Sequence, residues 1–150
     1  DEAVAEADSD EEEAAEAEEE LEAAIEVEND LRSEIVTYAL QFVGNRYKYG
    51  GTNPNTGVDC SGFTSYVMRH AAEVELPHSS GGQSRMGRQV SSSEMRPGDI
   101  ICYGSGKRIN HVALYIGNGQ IVHASTERTG IKVSRWNYRT PVRIVNVLGD

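Results

Sequence analysis

Gly57-Val58-Asp59-Cys60-Ser61-Gly62-Phe63 sets a cysteine where a loop gives way to a helix, and the fold is read outward from it. Upstream, Tyr47 to Gly57 is rich in Gly, Asn and Thr and contains Pro54, the composition of a loop whose backbone visits conformations most residues avoid. Downstream, Phe63, Tyr66, Val67 and His70 or Ala71 recur at helical spacing, which predicts a helix from Ser61 to about Ala72. Unpaired N–H groups and aligned peptide dipoles at a helix start favour an anion, so the Cys60 thiol is expected to have a lowered pKa and to be nucleophilic. A small buried apolar cysteine is the competing reading of that position taken alone.

A thiolate nucleophile needs a base, and imidazole titrates near neutrality. His111 and His123 bracket one predicted hairpin with Gly117-Asn118-Gly119 at its tip. A two-residue Asn118-Gly119 loop would pair position 114 with 123 and send the two imidazoles to opposite faces of the sheet. A three-residue loop, with Gly119 left-handed as a bulge, pairs Ala113 with His123 and makes His111 and His123 diagonal neighbours on one face. The second register is expected, with His111 as general base for Cys60 and His123 orienting it, as in a catalytic triad.

Around this centre the pattern is helices first and strands later. Ile35, Val36, Ala39, Leu40 and Val43 form an apolar stripe of helical period, which predicts a helix starting after Asp30 or Ser33 and ending at Gly44-Asn45. Pro77 to Gly87 reads as a polar connection. From Pro97 onward, short strands are predicted at Asp99–Tyr103, His111–Ile116, Gln120–Ala124, Ile131–Ser134 and Val142–Val147. The expected class is α+β, with N-terminal helices packed on an antiparallel meander.

Charge divides the chain. Residues 1–30 hold 16 of the 24 acidic side chains and none of the 14 basic ones, so residues 31–150 carry 14 basic against 8 acidic groups, a net of +6. With Leu21, Ile25 and Val27 as its only sizeable apolar residues after Val4, the segment 1–30 is expected to be an acidic linker or frayed helix, and 31–150 a single domain. No run of 18 apolar residues is present, so no transmembrane helix is expected, and no basic-then-apolar leader opens the chain. Two free thiols are expected in preference to a disulfide. Cys60, Cys102, His111 and His123 could in number ligate zinc, but they lack paired-ligand spacing, and Cys102 in Ile100-Ile101-Cys102-Tyr103 should face packed core. Gly104-Ser105-Gly106-Lys107 lacks P-loop spacing and reads as a turn. No metal, cofactor or nucleic-acid partner is expected.

Tyr47-Lys48-Tyr49-Gly50-Gly51, Asp59-Cys60-Ser61-Gly62-Phe63, Leu76-Pro77, Pro97-Gly98-Asp99, His111-Val112-Ala113-Leu114-Tyr115-Ile116-Gly117 and His123-Ala124-Ser125 together resemble the NlpC/p-sixty family of cell-wall cysteine peptidases over about residues 33–148. The resemblance implies a papain-like fold, a secreted and wall-associated protein, and hydrolysis of peptidoglycan stem peptides between the γ-carboxyl of D-glutamate and a diamino acid such as diaminopimelate or lysine. It assigns Cys60 as nucleophile, His111 as base, His123 as orienting residue and Tyr47 as an oxyanion-hole donor, to which the Cys60 N–H adds a second. Asp59 would either bind a substrate amine or accept local loop N–H bonds. The family often has arginine after Leu-Pro, where this chain has His78, so no role is carried to position 78. A monomer is expected. The alternatives are a non-catalytic wall-binding module, or an amidase or acyl transferase using the same Cys-His pair.

Overall fold

In a computed structural model of the chain, the backbone is described for residues 2–150 and the side chains for residues 11–150. Two compact units are distinguished, Asp1–Leu31 and Arg32–Asp150. Helix α1 runs through Glu2–Leu40, so a helix beginning after Asp30 or Ser33 is corrected: Ala and Glu are strong helix formers, and they carry the helix back through the acidic segment. Leu21, Ile25 and Val27 are exposed there; Val4 lies outside the described side chains. No helix among the described residues is long and apolar enough to cross a membrane.

In the second unit, α1 buries Ile35 and Ala39 and leaves Leu40 exposed, and in the turn after it Phe42 is buried and Val43 exposed. The buried stripe therefore lies at 35, 39 and 42 rather than along all five predicted positions. Gly44, at φ +94°, turns the chain out of the helical region. Two short strands follow, β1 (Thr52–Asn53) and β2 (Gly57–Val58), then α2 (Cys60–Ala72) and α3 (Ser80–Ser84). The second helix starts at the cysteine, one residue before its predicted start.

The sheet comprises β3 (Arg88–Gln89), β4 (Ile100–Ser105), β5 (Arg108–Gly117), β6 (Gln120–Thr126), β7 (Gly130–Arg135) and β8 (Pro141–Asn146). Its order is β3-β8-β4-β5-β6-β7, with every pair antiparallel. A simple meander is thus corrected: β8 does not add beside β7 but returns to the far edge of β4. One face carries a buried cluster of Ile101, Tyr103, Ala113, Tyr115, Ile121 and Ile144. Strand alternation turns the fully buried Ile100, Cys102, Val112, Leu114 and Val122 to the other face. Helix α2 lies against β5 and β6 and buries Phe63, Val67 and Met68.

An ionic knot ties α1 to the sheet. Arg32, 2% exposed, donates through Nη1 to the Asp99 carboxylate at 3.0 Å and the Pro97 carbonyl at 2.8 Å, and through Nε to Asp150 at 3.1 Å. Burying a guanidinium is costly unless its donors are matched, and here carboxylates and a carbonyl match them.

Candidate active site

The loop that carries the cysteine is built from close backbone passes. A Cβ on Gly62 would overlap the carbonyl oxygen of Gly51, and one on Gly51 would overlap that of Gly57. Only glycine lets these three segments stack, with the Asp59 N–H donating to the Gly51 carbonyl at 3.1 Å. Asp59 caps α2: Oδ1 accepts from the Gly62 N–H at 2.7 Å, and Oδ2 from the Gly50 N–H at 3.1 Å. His78 Nε2 lies 2.9 Å from the same Oδ1. Local N–H bonds therefore occupy Asp59, and His78 enters the site as its partner. Tyr47 runs beside Val58 in a parallel bridge, fixed by Lys48 N–H to Val58 O at 3.1 Å and Val58 N–H to Arg46 O at 3.2 Å. Burial raises the Tyr47 phenol above its ordinary pKa, as do the neighbouring Cys60 and Asp59.

The histidine hairpin has the register expected, by another route. Its tip is a two-residue turn, Asn118 at φ +53° and Gly119 at φ +72°, closed by the Gly117–Gln120 pair. Continued inward, that turn would separate the imidazoles. The register shifts between Tyr115 and Gly117, however, and Leu114 pairs with Val122. Ile116 is thus the extra residue of a bulge, and Ala113 falls opposite His123. The result is a direct contact, His111 Nε2 to His123 Nδ1 at 2.7 Å, and His123 Nε2 continues to Ser134 Oγ at 2.9 Å.

Above the bulge the sheet opens. Tyr115 N–H bonds to Asp99 O at 2.9 Å, so odd residues of β5 bond towards β4 and even residues face β6. The β5–β6 pairing ends at Leu114–Val122, which frees the Val112 N–H, and this N–H acts on the Cys60 sulfur, favouring the thiolate. The sulfur therefore sits against the residue next to His111. Cys60 is half-buried and, like the fully buried Cys102, is a free thiol.

The expected lowering of the Cys60 pKa is corrected. Burial pushes the thiol above its ordinary value, the Asp59 carboxylate adds to the rise, and the N–H groups of Val112, Ser61 and Cys60 offset only part of it. Burial also depresses both imidazoles, His111 to about 4 with the Arg139 cation contributing, and His123 to about 3 with His111 and Lys132 contributing. At neutral pH the site rests as thiol and neutral imidazoles.

Sequence reasoning missed four residues here. Ser134 partners His123 across the β6–β7 pair His123–Lys132, on the same diagonal that joins His111 to His123. Tyr103, opposite His111, holds its ring 6.0 Å from that imidazole. Tyr138 lies 5.3 Å from the His123 ring, and Arg139 lies over Tyr103. Cys102 is on the face opposite Tyr103, buried away from the histidines.

The fold is an α+β domain with a cysteine at a helix start and two contacting histidines on an antiparallel sheet. The chain belongs to the NlpC/P60 family, whose model matches residues 44–144. It is 41% identical over 108 residues to the murein DD-endopeptidase MepS/murein LD-carboxypeptidase of Escherichia coli K12, covering 72% of this chain and 56% of that protein. It is 42% identical over 98 residues to a probable endopeptidase p60 of Listeria seeligeri, covering 65% of this chain and 18% of that one. The chain thus spans about half or less of these relatives. Among solved structures, the NlpC/p60 domain of the peptidoglycan hydrolase SagA superposes with a TM-score of 0.71 at 32% identity, covering 77% of this chain and 97% of that one.

Proposed function

We propose that this domain is a peptidoglycan hydrolase, a cysteine endopeptidase acting on stem peptides at the γ-D-glutamyl–diamino acid bond, secreted and associated with the cell wall. The observation that carries the reading is the 2.7 Å contact between His111 Nε2 and His123 Nδ1 beside the half-buried Cys60. It commits one ring nitrogen of His111 to the relay and leaves Nδ1 for the sulfur. For Nδ1 to serve as base, His111 must carry its proton on Nε2 and donate to His123 Nδ1, and His123 then donates from Nε2 to Ser134 Oγ.

Because thiol and imidazole both rest neutral, the Cys60 proton passes to His111 Nδ1 as the sulfur attacks the γ-glutamyl carbonyl. The Tyr47 hydroxyl and the Cys60 N–H stabilise the developing oxyanion. His111 then gives its proton to the leaving amine, the C–N bond breaks, and water, deprotonated by His111, releases the thioester. None of these steps calls on a metal or a second subunit, and the domain acts as a monomer within the 31–150 segment, with the acidic segment as a tether.

A second choice of bond is favoured by one observation: the 41% identical Escherichia coli relative is named for DD-endopeptidase and LD-carboxypeptidase activities. The same groups would serve there, with a different carbonyl at the sulfur. Digestion of purified muropeptides followed by mass spectrometry tests both. The γ-D-glutamyl reading predicts products ending in D-glutamate, the other predicts opened cross-links or shortened tetrapeptides, and either must vanish in Cys60→Ala. Cleavage retained by Cys60→Ala excludes the mechanism.

A further inference from the structure

Arg139 stands next to the candidate base with no counter-charge. Its Nη2 donates to Asn110 Oδ1 at 2.9 Å, Asn110 being the neighbour of His111 in the chain. The guanidinium lies 5.7 Å from the centre of the Tyr103 ring, and it acts on the adjacent Tyr138 phenol, favouring its charged form. Amide, ring face and phenol are all neutral. Among the described residues no carboxylate pairs with Arg139. Arg32 and Arg96, by contrast, are paired with the Asp150 carboxylate.

Three neutral groups hold this cation in a fixed place at an accessible edge of the site, where Tyr138 is 45% exposed and Arg139 half-buried. A guanidinium pre-oriented in this way presents its remaining N–H donors as a fork suited to a carboxylate. Tyr47 and Asp59 lie with the Cys60 loop, whereas Arg139 is bonded to the chain neighbour of His111, the group that in the proposed mechanism delivers a proton to the departing amine.

We propose that Arg139, held by Asn110, Tyr103 and Tyr138, is a specificity-determining residue that binds a free carboxylate on the amine-side residue of the scissile bond. The proposal rests on the peptidase reading and deepens it. A diaminopimelate residue offers two such carboxylates, one on its side chain and one at the end of a tripeptide stem; lysine offers only the second. The subsite therefore discriminates between diamino acids or between stem lengths, according to which carboxylate it takes.

The test compares L-alanyl-γ-D-glutamyl-diaminopimelate with its side-chain amide and its C-terminal amide, using wild type, Arg139→Gln and Arg139→Lys. Wild type is expected to lose about 10- to 100-fold in kcat/KM on one amide, the range of a charge-assisted hydrogen bond, and that amide identifies the carboxylate bound. Arg139→Gln should suffer the same loss on the free acid while its rate on the sensitive amide stays within about twofold of wild type, and Arg139→Lys should recover part of the preference. Equal wild-type rates on all three peptides, or an equal loss by Arg139→Gln on acid and amides, overturn the carboxylate subsite and leave the peptidase reading intact. Hydrolysis of none of the three peptides overturns the γ-D-glutamyl reading on which the subsite rests.

Discussion

Replacing His123 by leucine tests the relay without emptying its site. His111 is 8% exposed, its Nε2 lies 2.7 Å from His123 Nδ1, and the proposed mechanism puts the shared proton on Nε2. Leucine fills similar space and accepts nothing, so a buried N–H is left unpaired at a cost of about 1–3 kcal/mol. The imidazole escapes that cost by turning or by changing tautomer, and both remove an unprotonated Nδ1 from the sulfur. The free-energy range corresponds to a drop of about 5- to 150-fold in kcat/KM on a purified muropeptide. His123→Gln, whose amide oxygen accepts from the same proton, should stay within about tenfold of wild type, and Ser134→Ala, one contact further out, within about fivefold. Thermal melts of each variant separate lost orientation from lost fold. A folded His123→Leu enzyme with wild-type kcat/KM would refute the relay.

Further outcomes follow from burial and packing. Both imidazoles are depressed, His111 to about 4 and His123 to about 3, below the ordinary 6.5. The unfolded chain binds protons there that the fold refuses, so the stability from keeping them neutral is complete above about pH 6.5 and is lost as pH falls towards those lower values. Urea midpoints should fall more steeply between about pH 7 and pH 4.5 for wild type than for a His111→Gln/His123→Gln variant; parallel curves would contradict this. Gly62→Ala drives a methyl into the Gly51 carbonyl and should cost about 1–3 kcal/mol in melts along with most activity, through displacement of the α2 start. Arg32→Ala strands the buried Asp99 carboxylate and should cost about 3–5 kcal/mol by urea denaturation, whereas the same substitution at the exposed Arg69 should cost under about 1 kcal/mol.

The helix beginning at Cys60 was legible to within one residue because loop glycines give way there to an apolar stripe of helical period, while the Asp59 cap that fixes its first residue is seen only in the structure. The histidine pairing was legible too, though for a different local reason. Asn118-Gly119 does form the two-residue turn that by itself gives the wrong register, and the bulge at Ile116 restores the right one. A bulge inside a run of apolar residues has no composition of its own, so only the need to bring two imidazoles together pointed to it. Helix α3 was missed because Ser80-Gly81-Gly82-Gln83-Ser84 has poor intrinsic propensity. It is held by tertiary bonds, chiefly those of buried Gln83 to Thr64 Oγ1, the Ser61 carbonyl and the Pro77 carbonyl. The thiol pKa was misjudged for a related reason. Helix position is visible in a sequence, whereas the desolvation that outweighs it belongs to the packed structure. Arg139 could not have been singled out from the sequence, since its neutral partners come from β4, β5 and the β7–β8 connection.

The most direct measurement is the mass of the intact protein, acid-quenched during turnover of a stem peptide and mapped by proteolysis. A thioester on Cys60 carrying the fragment that ends in D-glutamate is the predicted adduct, present in wild type, absent in Cys60→Ala, and accumulating or forming more slowly when His111 is replaced. Product release at the wild-type rate by Cys60→Ala, or an acyl group on any residue other than Cys60, would contradict the account.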